Sequence, residues 1–293
     1  MTRAGIVTVA GKPNAGKSTL LNRIIGQKLS IVSPKPQSTR DRIVGIHSTD
    51  DIQMVILDTP GLLNPKYELQ RAMRATALKA LNDADVIVYM IDASEKTPIA
   101  SLAEAASLDR TPPAATLVAL NKADLLSKAQ RAALIEKHPD AALISATTGE
   151  GVDALLSRAG QLLPASPFLY PADEVSTQQV RFFVAELVRE TALEQLGDEV
   201  PYSIACEIDE FREDRTPVYI RAVLHVERDS QKRILIGTKG QRIRSIGQSA
   251  RLKIEAFLEQ DVYLDLWVKV LPNWRKNINA LARFGYRVQE KAE

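Results

Sequence analysis

The sequence predicts two domains: an N-terminal α/β domain with a mostly parallel sheet covered by helices on both faces, and a smaller α+β domain after it. Three observations support this prediction. Strand-like and helix-like stretches alternate over the first 160 residues, a segment with three prolines in eight residues follows, and the order of elements then becomes α-β-β-α-α-β. The chain has 293 residues, which is enough for two domains of ordinary size.

The predicted strands of the N-terminal domain are short runs of apolar and β-branched residues. They lie at 5–10, 43–48, 52–57, 86–91, 116–120 and 141–144. Helices are predicted at 18–26 and 66–82, and a polar, Ala-rich helical segment precedes the last strand. The run at 86–91 is continuously apolar, as a strand buried on both faces requires. We therefore expect helices on both sides of the sheet.

The C-terminal domain begins with a predicted helix at 177–196 and continues with strands at 202–210 and 217–226. A helix starting near Ser230, a Gly-rich turn, a helix to about Leu258, and a strand at 262–270 follow. We place the two domains at 1–163 and 177–293, the second ending in a helix. Because prolines stiffen a chain, residues 164–176 are predicted to form an extended linker.

The composition excludes several classes of protein. Hydrophobic residues make up 45% and charged residues 25%, which is ordinary for a globular chain, and a net charge of +2 indicates no partner. The one cysteine, Cys206, cannot form an internal disulfide, and we expect a small buried side chain in a reducing cytosol. We find neither an apolar run of 18 residues nor room for a signal peptide before the first strand, so a cytoplasmic protein is expected.

Residues 11–18, GKPNAGKS, match the pattern G-x-x-x-x-G-K-[ST] directly after a predicted strand and at the start of a predicted helix. Backbone N–H groups of such a loop surround phosphate oxygens, and the helix dipole favours the negative charge. Lys17 is expected to reach the β- and γ-phosphates, and the Ser18 hydroxyl to bind Mg²⁺. The predicted phosphate-binding residues are Gly11, Asn14, Ala15, Gly16, Lys17, Ser18 and Thr19.

The stretch Asn121-Lys122-Ala123-Asp124 follows the predicted strand at 116–120 and indicates a guanine base. Asp124 can accept from the N1–H and the 2-amino group of guanine. Adenine has neither donor and leaves the carboxylate unpaired, which costs on the order of 1–3 kcal/mol. Asn121 is expected to tie neighbouring loops together, and the Lys122 stem to cover a face of the base.

Two further stretches follow predicted strands. Alone, Asp58-Thr59-Pro60-Gly61 is equally typical of a plain β-turn. Beside the phosphate loop, however, Asp58 is placed to hold Mg²⁺ through water, and the Gly61 N–H can meet the γ-phosphate. The second stretch, Ser145-Ala146-Thr147, follows the last strand of the domain. Its Ala146 N–H is predicted to face guanine O6.

In the second domain, a Gly-x-x-Gly turn separates two predicted helices. The surrounding segment 228–253 carries eight basic residues and one acidic residue. A basic run is usually a solvated surface, but this one surrounds a turn without bulky side chains, which lets a phosphate backbone approach closely. The predicted RNA-binding residues are Gly237, Thr238, Lys239, Gly240, Arg242, Lys232, Arg233 and Arg244. Trp274 is equally consistent with RNA stacking or core packing, and we expect His225 to be a packing residue.

The order of motifs over almost the whole chain resembles the Era GTPases. The stretches that carry this resemblance are GKPNAGKS at 11–18, PQSTR at 36–40, DTPG at 58–61, RFF at 181–183, IGTKG at 236–240 and NWRKN at 273–277. The family implies a Ras-like P-loop GTPase domain joined to a type II KH domain, and Mg²⁺-dependent hydrolysis of GTP to GDP and phosphate. It also implies contact with the 3′ end of the small-subunit rRNA during maturation of the pre-30S subunit, and peripheral contact with the inner face of the cell membrane.

The resemblance also implies roles for individual residues. Thr39 would contact Mg²⁺ in the GTP state, so the metal-binding set is Ser18, Thr39 and, through water, Asp58. The residues implied in hydrolysis are Lys17, Thr39, Asp58 and Gly61. Asn14 resembles the Asn that binds K⁺ in related GTPases. Leu62 stands where Ras-like enzymes place a water-orienting Gln, so no side chain can be named for that role.

Three functions remain open on the sequence. The first is a switch in which GTP orders the segments around Thr39 and Asp58, and hydrolysis releases them. The second is an RNA chaperone or assembly factor that uses GTP as a structural ligand, because the Gln is missing. The third is a membrane-surface GTPase whose basic run binds anionic lipid headgroups. A monomer is expected in each case.

Overall fold

A computed structural model describes residues 1–95, 99–197 and 200–286 of the chain. The chain forms two compact units. The N-terminal unit contains Met1–Lys66 and Gln70–Thr177, and the C-terminal unit contains Tyr67–Leu69 and the chain from Gln178 onward. Residues 287–293, which we included in the second predicted domain, lie outside the described residues.

The N-terminal unit alternates strands and helices along the chain. Its strands are β1 (Arg3–Gly11), β2 (Ile43–Ser48), β3 (Ile52–Asp58), β4 (Val86–Asp92), β5 (Ala115–Asn121) and β6 (Ala142–Leu143). Its helices are α1 (Lys17–Ile25), α2 (Glu68–Asn82), α3 (Leu102–Ala106), α4 (Lys128–Lys137) and α5 (Val152–Leu162). We did not predict α5, and we did not predict α3, a five-residue helix that begins at a Ser101 capping box. Helix α3 is too short to show helical periodicity in the sequence.

The six strands form one sheet in the order β2-β3-β1-β4-β5-β6. Only β2 runs antiparallel, paired with β3 as a hairpin, and the other pairs are parallel. Helix α2 packs through Ala80 on the face that carries Val44 and Val55. The opposite face receives α5, where Gly160 lies against Ile52. The predicted parallel sheet with helices on both faces is therefore confirmed.

The proline-rich segment packs along the β2–β3 hairpin of its own unit. The buried side chain of Gln53 on β3 accepts the N–H groups of Leu169 and Tyr170 at 2.7 and 2.9 Å and donates to the Tyr170 carbonyl at 2.8 Å. Further along, the Ile46 N–H of β2 donates to the Val175 carbonyl at 2.9 Å. The segment after Pro164 is thus held against the sheet by hydrogen bonds to its backbone, which its sequence did not indicate.

The C-terminal unit has the predicted order α-β-β-α-α-β, followed by a short helix. Its elements are α6 (Val180–Gln195), β7 (Ala205–Arg212), β8 (Val218–Val226), α7 (Asp229–Ile236), α8 (Gln241–Leu258), β9 (Val262–Val270) and α9 (Ile278–Arg283). The sheet order is β7-β8-β9, with β7 and β8 antiparallel and β8 and β9 parallel. Strand β9 is therefore an edge strand.

One face of the three-stranded sheet forms the core with α6, α7 and α8. Alternate residues of β8, such as Ile220 and Leu224, are fully buried against Val188 of α6 and Ile246 of α8. Trp274 is also fully buried, and its Nε1 donates to the Ser203 carbonyl at 2.8 Å. The RNA-stacking alternative for Trp274 was therefore wrong.

We predict that Gln53→Leu lowers the free energy of unfolding by about 1 kcal/mol, because it removes the part-buried hydrogen bonds from Gln53 to the backbone of Leu169 and Tyr170. Urea unfolding followed by circular dichroism measures this loss. Asp51→Asn changes an exposed neighbour in the hairpin turn and should leave the stability unchanged. Equal stability of Gln53→Leu and the parent chain would show that the contact contributes nothing.

Candidate nucleotide site and nucleic-acid interface

The phosphate loop connects the end of β1 to the start of α1. Gly16 precedes the helix with a φ of 98°, a backbone conformation that favours glycine. A Cβ atom at this position would lie 2.1 Å from Asn121 Nδ2, so the loop and the strand β5 approach each other too closely for any side chain. The first-turn N–H groups of α1 are therefore presented by a loop that only glycine allows.

A cavity of about 490 Å³ lies beside this loop, within the size range of small-ligand sites. The predicted residues that line it are Asn14, Gly16, Lys17, Ser18, Thr19, Thr39, Gly61, Asn121, Lys122, Asp124 and Thr147. The structure thus brings residues from five segments, spread over 134 positions from Asn14 to Thr147, to one cavity. The predicted residues that do not line it are Gly11, Ala15, Asp58, Ser145 and Ala146.

Most of the residues outside the cavity wall support those in it. The Gly11 carbonyl accepts from Lys17 Nζ at 3.2 Å, and the Ala15 carbonyl accepts from Asn121 Nδ2 at 2.8 Å. Ser145 Oγ donates to the Asp124 carboxylate at 2.6 Å. These contacts orient the side chains that reach the cavity.

A cluster of hydroxyl groups surrounds the carboxylate of Asp58 at the end of β3. Ser18 Oγ donates to Asp58 Oδ2 at 2.7 Å and lies 2.9 Å from Thr39 Oγ1. The carboxylate is fully buried, and its other oxygen, Oδ1, has no hydrogen-bond partner. Burial raises the pKa of Asp58 above its ordinary value. A buried acceptor without a donor, next to two hydroxyl oxygens, fits Mg²⁺ and its bound water.

Lys17 extends from the first turn of α1 beneath the loop. Its ammonium donates to the carbonyls of Gly11 at 3.2 Å and Lys12 at 2.9 Å. Burial lowers its pKa from 10.5 to about 8, and the nearby Asp58 carboxylate opposes this shift. Phosphate oxygens would favour the charged ammonium, so the side chain fits a phosphate ligand.

The other end of the cavity is built around Asn121, at the end of β5. Its Nδ2 bonds the phosphate loop, and its Oδ1 accepts the Ala146 N–H at 2.9 Å. Asn121 therefore joins two loops through one amide. We assigned the Ala146 N–H to guanine O6, and here this group donates to Asn121. Lys122 forms an ion pair with Asp92 at the end of β4, which directs its stem along the cavity wall.

Sequence reasoning missed Ser30. Its hydroxyl is buried and donates to Asp58 Oδ2 at 2.8 Å, beside the Ser18 bond. Asn22 of α1 fixes this position, because its Oδ1 accepts the Ser30 N–H at 2.8 Å and its Nδ2 donates to the Ser30 carbonyl at 2.9 Å. A lone Ser between two apolar residues carries no pattern, so the sequence offered no signal for it.

In the C-terminal unit, the Gly-x-x-Gly turn lies between α7 and α8. Gly237 has a φ of 70°, and a Cβ there would lie 2.8 Å from Arg242 Cβ, so this position requires glycine. Thr238 and Lys239 are exposed at the tip. Arg242 Nη1 donates to the Ile234 carbonyl at 2.9 Å and so binds the end of α7. The turn therefore exposes its two central residues to solvent.

An open cleft of about 400 Å³ runs from α8 to the edge strand β9. Arg244, Gly247 and Arg251 line it from the helix, and Tyr263 and Leu266 from the strand. The arginines follow the Gly-x-x-Gly turn along α8, as a groove for a phosphate backbone requires.

The basic run is less positive in three dimensions than in sequence. Lys253 bonds Glu190 at 3.0 Å and Glu194 at 2.7 Å, and both acids belong to α6. Arg251 lies 3.8 Å from Glu255. The predicted residues Lys232, Arg233 and Arg244 lie along α7 and α8, and the last two are exposed. The positive charge is therefore concentrated around the turn.

Fold and site together define a P-loop protein that binds guanine nucleotides and carries a KH domain. A family model described as 50S ribosome-binding GTPase matches residues 6–122, and one described as KH domain matches residues 199–275. The predicted fold class, a Ras-like P-loop GTPase domain followed by a type II KH domain, is confirmed.

Curated relatives match over nearly the full chain. GTPase Era of Ectopseudomonas mendocina is 42% identical over 295 residues, covering 98% of each chain. GTPase Era of Geobacter metallireducens is 40% identical over 292 residues, covering 97% of this chain and 98% of its own. The chain belongs to the Era family of GTPases, and it hydrolyses GTP to GDP with Mg²⁺ as the metal.

Two solved structures of Era match the whole fold. One is a variant of the Aquifex aeolicus protein bound to GDP and AlF4⁻, with a TM-score of 0.90. The other is Era with MgGDPNP and nucleotides 1506–1542 of 16S ribosomal RNA, with a TM-score of 0.91. Each is 37% identical and covers 98% of this chain and 100% of its own.

We predict that GDP binding takes up protons near pH 8. The pKa of Lys17 is about 8 without ligand and rises when phosphate pairs with the ammonium. Uptake per bound GDP should therefore be larger at pH 8.5 than at pH 7.5. Calorimetry in buffers of different ionisation enthalpy measures this, with EDTA present so that Asp58 binds no Mg²⁺. Uptake that stays at zero over this range would show that Lys17 is already fully protonated.

We also predict that Ser30→Ala raises the Mg²⁺ concentration needed to slow GDP release by about 10- to 100-fold, since hydrogen bonds to a metal-orienting carboxylate have effects of this size. Stopped-flow release of a fluorescent GDP analogue across a Mg²⁺ titration measures the shift. Ser157→Ala is the matched control, because that exposed serine lies on α5 and does not line the cavity. An unchanged Mg²⁺ midpoint for Ser30→Ala would contradict the assignment.

Proposed function

We propose that this chain is a GTP-driven switch that binds single-stranded RNA at the 3′ end of the small-subunit rRNA and acts in assembly of the small ribosomal subunit. The observation that carries the proposal is the match to Era in complex with MgGDPNP and nucleotides 1506–1542 of 16S ribosomal RNA, over 98% of this chain. The open Gly-x-x-Gly turn and the basic cleft beside it support RNA binding independently. The partner we propose is the pre-30S subunit.

The proposed nucleotide chemistry uses groups that meet in the cavity. Lys17 and the N–H groups of the phosphate loop bind the β- and γ-phosphates, and the Gly61 N–H donates to the γ-phosphate. Mg²⁺ neutralises developing charge between these phosphates when it is bound. Ser18 and Thr39 offer it hydroxyl oxygens, and Asp58 accepts from its water. These residues act by positioning and charge stabilisation.

A group other than the Leu62 side chain orients the attacking water. Leu62 is apolar and buried in the core with Leu81 and Ile87, so it makes no hydrogen bond to water. We propose that a K⁺ ion at Asn14 supplies additional positive charge near the phosphates. Asn14 lines the cavity with a φ of 63°, and its amide donates to the Pro34 carbonyl at 2.9 Å.

Guanine selection is assigned to the opposite end of the cavity. Asp124 accepts from the base, with Ser145 holding its carboxylate. The Lys122 stem covers one face of the base. Asn121, Ala146 and Thr147 shape the surrounding loops. Adenine offers no donors to Asp124 and is rejected by the unpaired carboxylate.

The linker supports coupling between nucleotide state and RNA. The β2–β3 hairpin lies in sequence between Thr39 and Asp58, the two segments that GTP is expected to order. Gln53 and Ile46 of the same hairpin hydrogen-bond the chain at 169–175. A shift of the hairpin would therefore move the segment that leads into the RNA-binding domain.

We place the functional domains at 1–163 and 177–293, joined by 164–176, in a monomeric cytoplasmic protein. Among the residues that the structure describes, no helix combines the length and the apolar character needed to cross a bilayer. Peripheral contact with the inner membrane face is proposed on the family resemblance and on the exposed basic turn.

The switch predicts tighter RNA binding with a non-hydrolysable GTP analogue than with GDP at fixed salt. Lys239→Asp should weaken RNA binding in both states by about tenfold or more, because it replaces a phosphate contact with a like charge. Asp tolerates the φ of 50° at this position, so folding is preserved. Fluorescence anisotropy with a labelled fragment of 16S nucleotides 1506–1542 measures both effects.

Lys128→Asp is the matched control, since it makes the same charge change at an exposed helix end of the N-terminal unit. It should leave RNA affinity unchanged. Equal RNA affinity with the GTP analogue and GDP would contradict the switch. Loss of binding in Lys128→Asp as large as in Lys239→Asp would mean that charge alone, without the turn, explains the affinity.

A further inference from the structure

The three-stranded sheet of the C-terminal unit has a second face, opposite to α6, α7 and α8, and α9 packs against the end of this face near His225. On the edge strand β9, alternate residues turn to this outer face, and two of them are large aromatic side chains. Tyr263 is 59% exposed and Trp267 is 53% exposed. Tyr219 of β8 is the register partner of Tyr263, and the two rings stack with centroids 5.8 Å apart. We call these three residues the outer platform.

One carboxylate holds the outer platform in place. Asp265 accepts from the Tyr219 hydroxyl at 3.0 Å and from Trp267 Nε1 at 2.8 Å. Arg221 also donates to it, at 3.1 Å. Two of the three aromatic side chains are therefore fixed by hydrogen bonds to the same group, and the third by stacking. Rings that are ordered before binding lose little conformational entropy when a ligand stacks on them.

The charged side chains around the Tyr219 ring form ion pairs with one another. Arg221 pairs with Asp265 and lies 3.6 Å from Glu210. Arg212 pairs with Glu210 as well, and its guanidinium lies 5.5 Å from the centre of the Tyr219 ring. The outer platform therefore has little net charge around the Tyr219 ring to attract a phosphate. What it offers a ligand is exposed aromatic surface, which suits a nucleobase.

The outer platform is continuous with the cleft beside the Gly-x-x-Gly turn. Tyr263 belongs to both, because it lines the cleft together with Arg251 and Leu264. The strand β9 starts four residues after α8 ends, so Tyr263 lies toward the end of the cleft away from the turn. An RNA strand that runs from the turn past Arg244 and Arg251 therefore reaches Tyr263 as it leaves the cleft.

We propose that the outer platform binds one or two unpaired bases of the RNA strand where that strand leaves the cleft. The proposal rests on the RNA-binding function proposed above and adds a second contact region to it. The cleft and the turn hold the phosphate backbone. Tyr219, Tyr263 and Trp267 extend the footprint over the edge of β9 by stacking, which depends little on base identity.

A purely structural role for the three aromatic residues explains less of their geometry than base stacking does. A stacked pair of tyrosines across two strands stabilises a sheet by itself. It does not explain why Trp267, on the same edge strand, leaves half its surface in solvent while its ring is hydrogen-bonded in place. The chain has two tryptophans, and the other, Trp274, is fully buried. Quenching of tryptophan fluorescence by a solute in solution can therefore report on Trp267 without a contribution from Trp274.

The experiment uses the full chain and nested RNA fragments of 16S nucleotides 1506–1542, shortened from either end. Affinities are measured by anisotropy, and the exposure of Trp267 by acrylamide quenching, which does not reach the buried Trp274. In the parent chain, nucleotides beyond those that fill the cleft should increase affinity by about fivefold or more per stacked base. The same fragments should protect Trp267 from the quencher.

Trp267→Ala, which changes a residue outside the cleft, should lose this gain while keeping the affinity for the shortest bound fragment within about twofold. Ile135→Ala, which removes an equally exposed apolar side chain from α4, is the control and should behave as the parent chain. Circular dichroism confirms folding, and Trp267→Phe should restore most of the gain because it keeps an aromatic face.

The outcomes distinguish failure of RNA binding as a whole from failure of the outer platform alone. If no fragment binds the parent chain, the RNA-binding function itself fails. If fragments bind but Trp267 stays fully open to acrylamide and the length dependence survives Trp267→Ala, the outer platform does not bind RNA, and its aromatic surface fits a protein partner instead. If the shortest fragment weakens as much as the longest, these residues belong to the cleft, and a separate outer platform is excluded.

Discussion

The buried carboxylate of Asp58 joins three segments of the chain that are far apart in sequence. Hydroxyl groups of Ser18 and Ser30 donate to it, and Thr39 contacts Ser18. A buried carboxylate is unfavourable unless donors or a cation compensate for lost hydration. Hydrogen bonds to the Asp58 carboxylate therefore hold three segments together: the phosphate loop, the segment around Thr39 and the end of β3. A metal ion at this point affects all three segments at once.

Strand β3, which ends at Asp58, connects the hydroxyl cluster to the rest of the unit. Gln53 and Asp58 lie five residues apart on β3, about 16 Å at the usual rise of a strand. At one end the strand holds the hydroxyl cluster, and at the other its Gln53 side chain hydrogen-bonds the backbone of the linker. Strand β3 is paired on both sides, with β1 and β2, and so moves as part of the sheet. This connection gives the linker a route to the nucleotide site within one unit.

The C-terminal unit separates its tasks between the two faces of one sheet. Helices cover the inner face and bring the Gly-x-x-Gly turn beside the edge strand β9. On the outer face, ion pairs around Tyr219 cancel charge, and Tyr263 and Trp267 leave aromatic surface exposed. The position of β9 at the edge makes the cleft and the outer face neighbours. Period-two alternation along one strand thus supplies apolar residues to the core and Tyr263 and Trp267 to the other side.

The sequence alone determined the fold class, the order of nearly all elements and the main motifs, because apolar periodicity and glycine-rich turns are local signals. It did not reveal Ser30, whose role depends on a strand 28 residues away. Nor did it show that Lys253 is neutralised by α6, or that Trp274 is buried while Trp267 is exposed. Only the tertiary structure decides these points, since hydrogen-bond partners, charge neutralisation and burial depend on which distant residues the fold brings into contact.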